Sequence, residues 1–156
     1  MSSPTEFIAE PDIVVLDLEA KTGEAAVRVL YERLAAIPGV VNEPAKFLED
    51  LKLRMRMGPV CIAQDIALPH ARTNAVDRLV LAVGRATQPI SFDVQHPAIR
   101  MVFLIGTPKD AVTGYLRAVA VLSRLLRNPT TKAGLYAATD EAEFRALLSG
   151  GVAASR

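Results

Sequence analysis

The sequence contains no tryptophan, one cysteine and two histidines, and aromatic residues make up 5% of the chain. A lone cysteine, Cys61, excludes an intrachain disulfide and a metal site built on several thiolates. One cysteine with two histidines is also a poor set of zinc ligands. Cys61 is flanked by Val60 and Ile62, so we expect a small buried apolar side chain rather than a nucleophile. The scarcity of aromatic side chains argues against a stacking surface for bases or sugars.

The chain also lacks strong net charge and long apolar runs. Its formal net charge is +1, and its basic residues are scattered, so nucleic-acid binding is not expected. Residues 1–6 have neither a basic start nor an apolar segment, which predicts a cytoplasmic protein without a membrane span. With 156 residues and 51% hydrophobic content, we expect one domain at 11–149 between a flexible N-terminal tail at 1–10 and a C-terminal tail at 150–156.

Apolar periodicity predicts one strand and then two helices in the first third of the chain. Ile13–Leu18 is rich in β-branched residues and predicts a strand. Thr22 can cap a helix that runs to about Ala36. Asn42 is predicted to cap a second helix that ends at Gly58. The buried stripe of this second helix is expected at Phe47, Leu48, Leu51 and Met55.

The sequence after the second helix predicts a block of strands followed by helices. Residues 60–63 and 66–68 indicate two short strands or one bulged hairpin, and the apolar runs at 79–84 and 100–106 are typical of central strands. A long helix is expected at about 111–127, followed by helices at 131–137 and 141–148. This order predicts a single-domain α/β sandwich with a mixed β-sheet flanked by helices on both faces. The side chains of the long helix that are expected to face the core are Leu116, Val119, Ala120, Leu122 and Leu126.

One short stretch, Ile66–Arg72, combines the residue types of a reactive site. Pro69 fixes its own φ and has no N–H, so the preceding apolar run should be a strand that stops there. His70 then lies at a strand end, and a neutral imidazole has one nucleophilic nitrogen near physiological pH. Arg72 adds a permanent cation whose geometry suits phosphate oxygens, although it could equally be a simple exposed arginine.

Three segments together resemble the type-2 enzyme IIA domains of the bacterial sugar phosphotransferase system, the fructose, mannitol and nitrogen-regulatory group. The first is Leu53-Arg54 at the end of the second helix. The second is Ile66–His70, whose Ala-Leu-Pro-His core is the most specific element. The third is Val102–Pro108, ahead of a long leucine-rich helix. The resemblance covers about residues 10 to 148.

The resemblance implies a phosphocarrier. His70 would accept a phosphoryl group on Nε2 from the phosphohistidine of the carrier protein HPr. It would pass the group to a cysteine of a IIB domain, or hold it as a nitrogen or carbon regulatory signal. Such transfer needs positioning and cations, and Arg54 would be the main phosphate contact. Neither a metal nor another cofactor is required.

Four positions depart from the family pattern. Tyr115 stands where a second histidine often faces the active one, and a phenol can donate a hydrogen bond but carries no positive charge near neutral pH. Met55 replaces a common glutamate, and Cys61 and Asp65 replace usual glycines. An aspartate beside a phosphohistidine would repel it, so Asp65 is a candidate for slowing transfer.

Two alternatives stand beside the phosphocarrier. Three of the departures, Tyr115, Asp65 and Met55, favour a catalytically weakened IIA-like regulatory binding module that acts by protein–protein contact. A metal hydrolase that uses His70, His96 and Asp65 would have unsuitable ligand spacing, and His96 is expected in a surface loop. For the phosphocarrier itself, the absence of fused IIB and IIC segments slightly favours the regulatory branch over sugar uptake.

Overall fold

One mixed sheet contains the strands of the described chain. The computed structural model describes residues 10–154. The strands are β1 (Ile13–Leu18), β2 (Ile66–Ala67), β3 (His70–Arg72), β4 (Val80–Ile90) and β5 (Ile99–Thr107). The long strand β5 lies inside the sheet and pairs with strands on both sides. β4 runs antiparallel to β5, and β1 runs parallel to β4 on its far side. On the other side of β5, the short strands β2 and β3 both pair with it in parallel, one after the other.

The described chain divides into two compact units. One unit, Asp12–Lys109, contains the whole sheet and two helices, and the other contains residues 10–11 with 110–154 and three helices. The helices are α1 (Gly23–Ala35), α2 (Pro44–Met57), α3 (Val112–Leu125), α4 (Pro129–Ala137) and α5 (Glu141–Ala154). The predicted α/β class with a mixed sheet is confirmed. Across residues 10–154, every helix is too short or too polar to span a membrane.

In the first unit, α1 packs against β1, β4 and β5, and α2 packs against β3 and α1. Thr22 caps α1 as predicted, because its Oγ1 accepts a hydrogen bond from the N–H of Ala25 at 3.2 Å. The two helices meet through Tyr31 and Phe47, whose rings lie edge to face with centroids 6.2 Å apart. Phe47 also covers Gly106 of β5, so α2 lies close to the strand that pairs with β3.

In the second unit, α5 packs against both α3 and α4. Side chains cap the first turns of α4 and α5. Asn128 Oδ1 accepts from the N–H groups of Thr130 and Thr131, and Asp140 Oδ1 accepts from the N–H of Glu143. These caps satisfy backbone donors that a helix leaves without partners in its first turn. The fully buried side chains of this unit are Ala118, Leu122, Leu125, Leu135, Phe144 and Leu148.

Several element boundaries differ from the sequence predictions. Asn42 does not cap α2, since the capping position is Glu43, whose side chain makes no capping bond, and the helix starts at Pro44. Leu116 is 59% exposed rather than inward, because it lies two residues before the buried Ala118 and therefore on the opposite side of α3. Ala120 lies two residues after Ala118 and is exposed for the same reason.

Two elements are longer than the sequence predicted. β4 continues to Ile90, six residues beyond the apolar run that predicted it. α5 runs to Ala154 instead of ending at Leu148. Most of the predicted N-terminal tail, residues 1–9, and residues 155–156 lie outside the described part of the chain.

Candidate active site

The site begins at a break in the strand beside β5. Pro69 has no N–H, and the N–H of Leu68 turns away from β5 to bond the Val60 carbonyl oxygen at 2.7 Å. Backbone pairing with β5 begins again at Pro69, whose carbonyl oxygen accepts a hydrogen bond from the N–H of Ile105 at 3.0 Å. The strand therefore stops before the proline, as predicted, but at Ala67, one residue earlier than expected. It resumes at His70, which is the first residue of β3.

The imidazole of His70 is oriented by the break itself. Its Nδ1 lies 2.9 Å from the carbonyl oxygen of Leu68, which can only accept, so Nδ1 carries the proton. In the neutral ring the lone pair then resides on Nε2. The pKa of His70 is lowered, first by burial and also by the positive charge of Arg54, while the Leu68 hydrogen bond opposes the shift. The ring is thus held in the neutral form that can act as a nucleophile.

Arg54 supplies a cation to the same site. It lies in the last turn of α2, half-buried, and its guanidinium donates to the carbonyl oxygens of Gly58 at 3.3 Å and Pro59 at 3.5 Å. Gly58 has φ of 156° and ψ of 177°, a conformation that is nearly restricted to glycine. This turn directs two carbonyls at Arg54 and so holds its charge within electrostatic reach of His70.

Arg72 and Asp65 lie at different places along the same edge of the sheet. Arg72 is two residues after His70 in β3, so both side chains lie on the same face of the strand, and Arg72 is exposed. Asp65 precedes β2, and its carbonyl accepts from the N–H groups at the start of β5. The Asp65 carbonyl accepts from Arg100, whereas His70 pairs with Ile105, five residues further along β5. At the usual rise per residue of a strand, the backbones of Asp65 and His70 therefore lie roughly 16 Å apart.

Tyr115 and Met55 were also singled out by the sequence. Tyr115 lies in the first turn of α3 in the second unit, half-buried, and its N–H donates to the Ala111 carbonyl at 3.1 Å. Its predicted role beside His70 stays a prediction. Met55, next to Arg54 in α2, packs partly against the core.

A second cluster of reactive side chains forms where the sequence predicted none. The side chain of His96 is only 14% exposed, and its Nδ1 donates to Asp93 Oδ1 at 2.8 Å. Cys61 Sγ, a carboxylate oxygen of Asp93 and a ring nitrogen of His96 all lie within 4.8 Å of one another. His96 therefore lies in a loop, as expected, but is half-buried, and the partners found for it are Cys61 and Asp93 rather than the His70 and Asp65 of the metal-hydrolase alternative. The only sequence signal was the Asp93-x-x-His96 spacing, since Cys61 is far away along the chain.

The electrostatics of this cluster follow from burial and charge. Burial, together with the negative charge of Asp93, raises the pKa of Cys61 to about 11. The hydrogen bond from His96 lowers the pKa of the Asp93 carboxyl below its usual range. The cluster thus contains a neutral thiol beside an ionised carboxylate.

Residues 7–150 match the family described as phosphoenolpyruvate-dependent sugar phosphotransferase system, EIIA 2. The chain belongs to this family. The resemblance drawn from the Ala-Leu-Pro-His segment is therefore confirmed, and the chain is a IIA phosphotransferase domain.

Relatives of this EIIA 2 domain include both transport and regulatory proteins. The 2-O-alpha-mannosyl-D-glycerate-specific EIIABC component of Escherichia coli is 29% identical over 88% of this chain, which spans about a fifth of that protein (21%). The nitrogen regulatory protein of Bradyrhizobium diazoefficiens is 26% identical over 94% of this chain and 95% of that protein. In a complex with phosphorylated enzyme IIB, the mannitol enzyme IIA of Escherichia coli has the same fold, with a TM-score of 0.74 and 20% identity over 88% of this chain and 94% of that one.

Proposed function

We propose that His70 is the phosphorylated residue of this EIIA 2 domain. It would receive the phosphoryl group from an HPr-like carrier in the cytoplasm. It would then pass the group to a cysteine of a IIB domain, or hold it as a nitrogen or carbon regulatory signal. The observation that carries the proposal is the hydrogen bond between His70 Nδ1 and the Leu68 carbonyl, because it assigns the nucleophilic lone pair to Nε2.

The chemistry follows from this tautomer. The Nε2 lone pair attacks phosphorus in line as the nitrogen–phosphorus bond of the donor phosphohistidine breaks, and the ring of His70 becomes positively charged. The Leu68 carbonyl stabilises that charge, because a hydrogen bond from a charged donor is stronger than one from a neutral donor. The guanidinium of Arg54 stabilises the charge on the transferring oxygens. Removal of such a contact costs roughly 2–4 kcal/mol of transition-state stabilisation.

An exposed apolar surface beside Arg54 supports transfer between proteins. Leu53 and Met57 on α2 are 51% and 74% exposed. Leu53 precedes Arg54 directly, and Met57 lies one helical turn after Leu53 on the same side of α2. Clustered exposed apolar residues are typical of a protein contact surface. We propose that the HPr-like donor and the acceptor dock there.

Phosphoryl transfer from labelled phosphoenolpyruvate through enzyme I and HPr tests the proposal. We expect acid-labile, base-stable label in the peptide that contains His70, and none in the peptide that contains His96. His70→Gln should abolish the label. Arg54→Gln should slow transfer by about 30- to 1000-fold, because the phosphoryl oxygens lose their cation.

Two further variants serve as controls. Arg54→Lys keeps the charge but loses the forked geometry, so an intermediate rate is expected. Arg127→Gln removes an exposed arginine outside the first unit and should leave the rate unchanged. Label on another residue, or equal rates for wild type and Arg54→Gln, would contradict the proposed roles.

A IIA-like binding module is the second candidate function, and Tyr115 in place of a histidine is the observation that favours it. A phenol cannot supply the positive charge of a histidinium to a phosphoryl group. Such a module would bind its partner equally well with His70→Gln, whereas a phosphorylation-dependent signal would lose the response to phosphoenolpyruvate. Failure of any label to appear on the folded wild-type protein with cognate HPr would favour the module.

A further inference from the structure

We propose that Cys61, Asp93 and His96 form a binding site for a divalent transition metal ion of the zinc class. Their ligand atoms all lie within 4.8 Å of one another, and each residue is half-buried. In a tetrahedral zinc site, bond lengths of about 2.0–2.3 Å place neighbouring ligand atoms roughly 3.3–3.8 Å apart. The atoms that are furthest apart would therefore have to approach by at most about 1 Å to reach ligand distance.

The backbone presents these ligands from two fixed segments. Cys61 forms an antiparallel bridge with Ala67. Asp93 and His96 close a tight turn, in which the N–H of His96 donates to the Asp93 carbonyl at 3.1 Å and the N–H of Phe92 donates to the His96 carbonyl at 3.0 Å. Ligands held by hydrogen-bonded backbone lose little conformational entropy when a metal binds.

Charge and chemistry favour a borderline transition metal. A thiolate and a carboxylate together balance a divalent cation, and the imidazole adds a neutral nitrogen. Sulfur and nitrogen ligands select zinc or cobalt over magnesium and calcium, which prefer oxygen. Binding replaces the proton on Cys61 Sγ by the metal, and that proton passes to solvent. His96 binds as a neutral imidazole through its unprotonated ring nitrogen, so coordination through Nδ1 requires its proton to move to Nε2 through solvent.

One of the ligands, Asp93, faces space that can hold water. It lines a cavity of about 220 Å³ together with the end of α2 and with Gly58 and Pro59, which follow that helix. Such a volume holds several water molecules, and one of them can complete a tetrahedral shell. The site would then have three protein ligands and one position open to water.

Cobalt titration of the full chain tests the proposal, because cobalt(II) reports thiolate ligation by a charge-transfer band in the near ultraviolet. Cys61 is the only cysteine, so such a band identifies it as the ligand. We expect one equivalent of cobalt to produce the band and zinc to displace it. Cys61→Ser should abolish the band, and both Cys61→Ser and His96→Asn should weaken zinc binding by at least about tenfold.

His70→Asn is the matched control, since it removes the other histidine, and it should keep the band and the zinc affinity. Circular dichroism shows whether each variant folds, and Asp93→Asn, which preserves side-chain shape, provides a second ligand variant that should weaken binding. Absence of the band in the wild-type protein would overturn the proposal. Zinc binding that survives Cys61→Ser and His96→Asn but is lost in His70→Asn would also overturn it, since the ion would then lie on the active-site histidine.

Discussion

Replacing Gly106 with alanine is expected to lower the free energy of unfolding by about 1–3 kcal/mol, because it overfills the space between β5 and α2. An added Cβ would lie 2.7 Å from Cζ and 2.9 Å from Cε1 of Phe47, and 3.1 Å from Cγ2 of Val80. Phe47 is fully buried, so its ring has little room to withdraw. The strain would displace α2 relative to β5.

This displacement should also reduce phosphoryl transfer. Gly106 pairs with Ala71, the residue after His70, and Phe47 lies about two turns before Arg54 on α2. A shift of α2 therefore moves the cation relative to the imidazole. Urea denaturation measures the stability, and the phosphoenolpyruvate assay measures the transfer rate.

A double variant separates the clash from other effects of the alanine. Phe47→Leu alone should cost about 1–2 kcal/mol, because it removes ring volume from the core. Combined with Gly106→Ala, it should cost less than the sum by about 1 kcal/mol, since the smaller side chain accepts the new methyl group. Gly114→Ala, where an added Cβ meets no atom within 4 Å, is the control and should be neutral or stabilising by up to about 1 kcal/mol. Additive costs for the double variant would refute the reasoning.

Four other predictions concern titration, reactivity and a helix cap. Since the pKa of His70 is lowered by folding, the unfolded chain takes up this proton first. As the pH falls through the unfolded value of 6.5 towards the lower pKa of the folded state, acidification should therefore destabilise wild type more than His70→Asn in urea titrations. Arg54→Gln should raise the pKa of His70 in an NMR titration, because a repelling cation is removed, and an unchanged pKa would contradict that assignment. With a pKa of about 11, Cys61 should react with iodoacetamide at pH 8 about 100-fold more slowly than an ordinary cysteine, and a rate like that of free cysteine would show the thiol to be unperturbed. Asp140→Ala should lower the free energy of unfolding by about 1 kcal/mol, because the N–H of Glu143 loses its acceptor; Asp140→Asn, which keeps an acceptor, should lose less in the same urea experiment.

The sequence predicted elements well where local signals and tertiary packing agree. The β-branched run Ile13–Leu18 is β1 at the predicted bounds, and Thr22 caps α1 as expected. The sequence predictions were wrong where several residues compete for one structural position, such as a helix cap. Asn42 is a good capping residue, yet Pro44 fixes the first helical position and moves the cap to Glu43. In α3, leucine occurs on more than one side of the helix, so composition alone could not select the buried stripe.

The candidate site was predictable in part for a related reason. Pro69 marks the end of a strand, and the histidine after it is visible in the sequence. Parallel pairing with β5 is not visible, because it depends on residues more than thirty positions away, and so the sequence placed Asp65 nearer to His70 than the register allows. The contact of Cys61 with Asp93 and His96 is non-local in the same way.

The break at Leu68-Pro69 also governs how the sheet ends. A long uninterrupted edge strand offers a row of backbone donors and acceptors to which another chain can add. Here the outer side of β2 is already occupied, because Val60 and Ile62 bond to Leu68 and Ile66, and β3 is three residues long. The proline that builds the histidine site thus also shortens the surface on which copies of the chain could pair and aggregate.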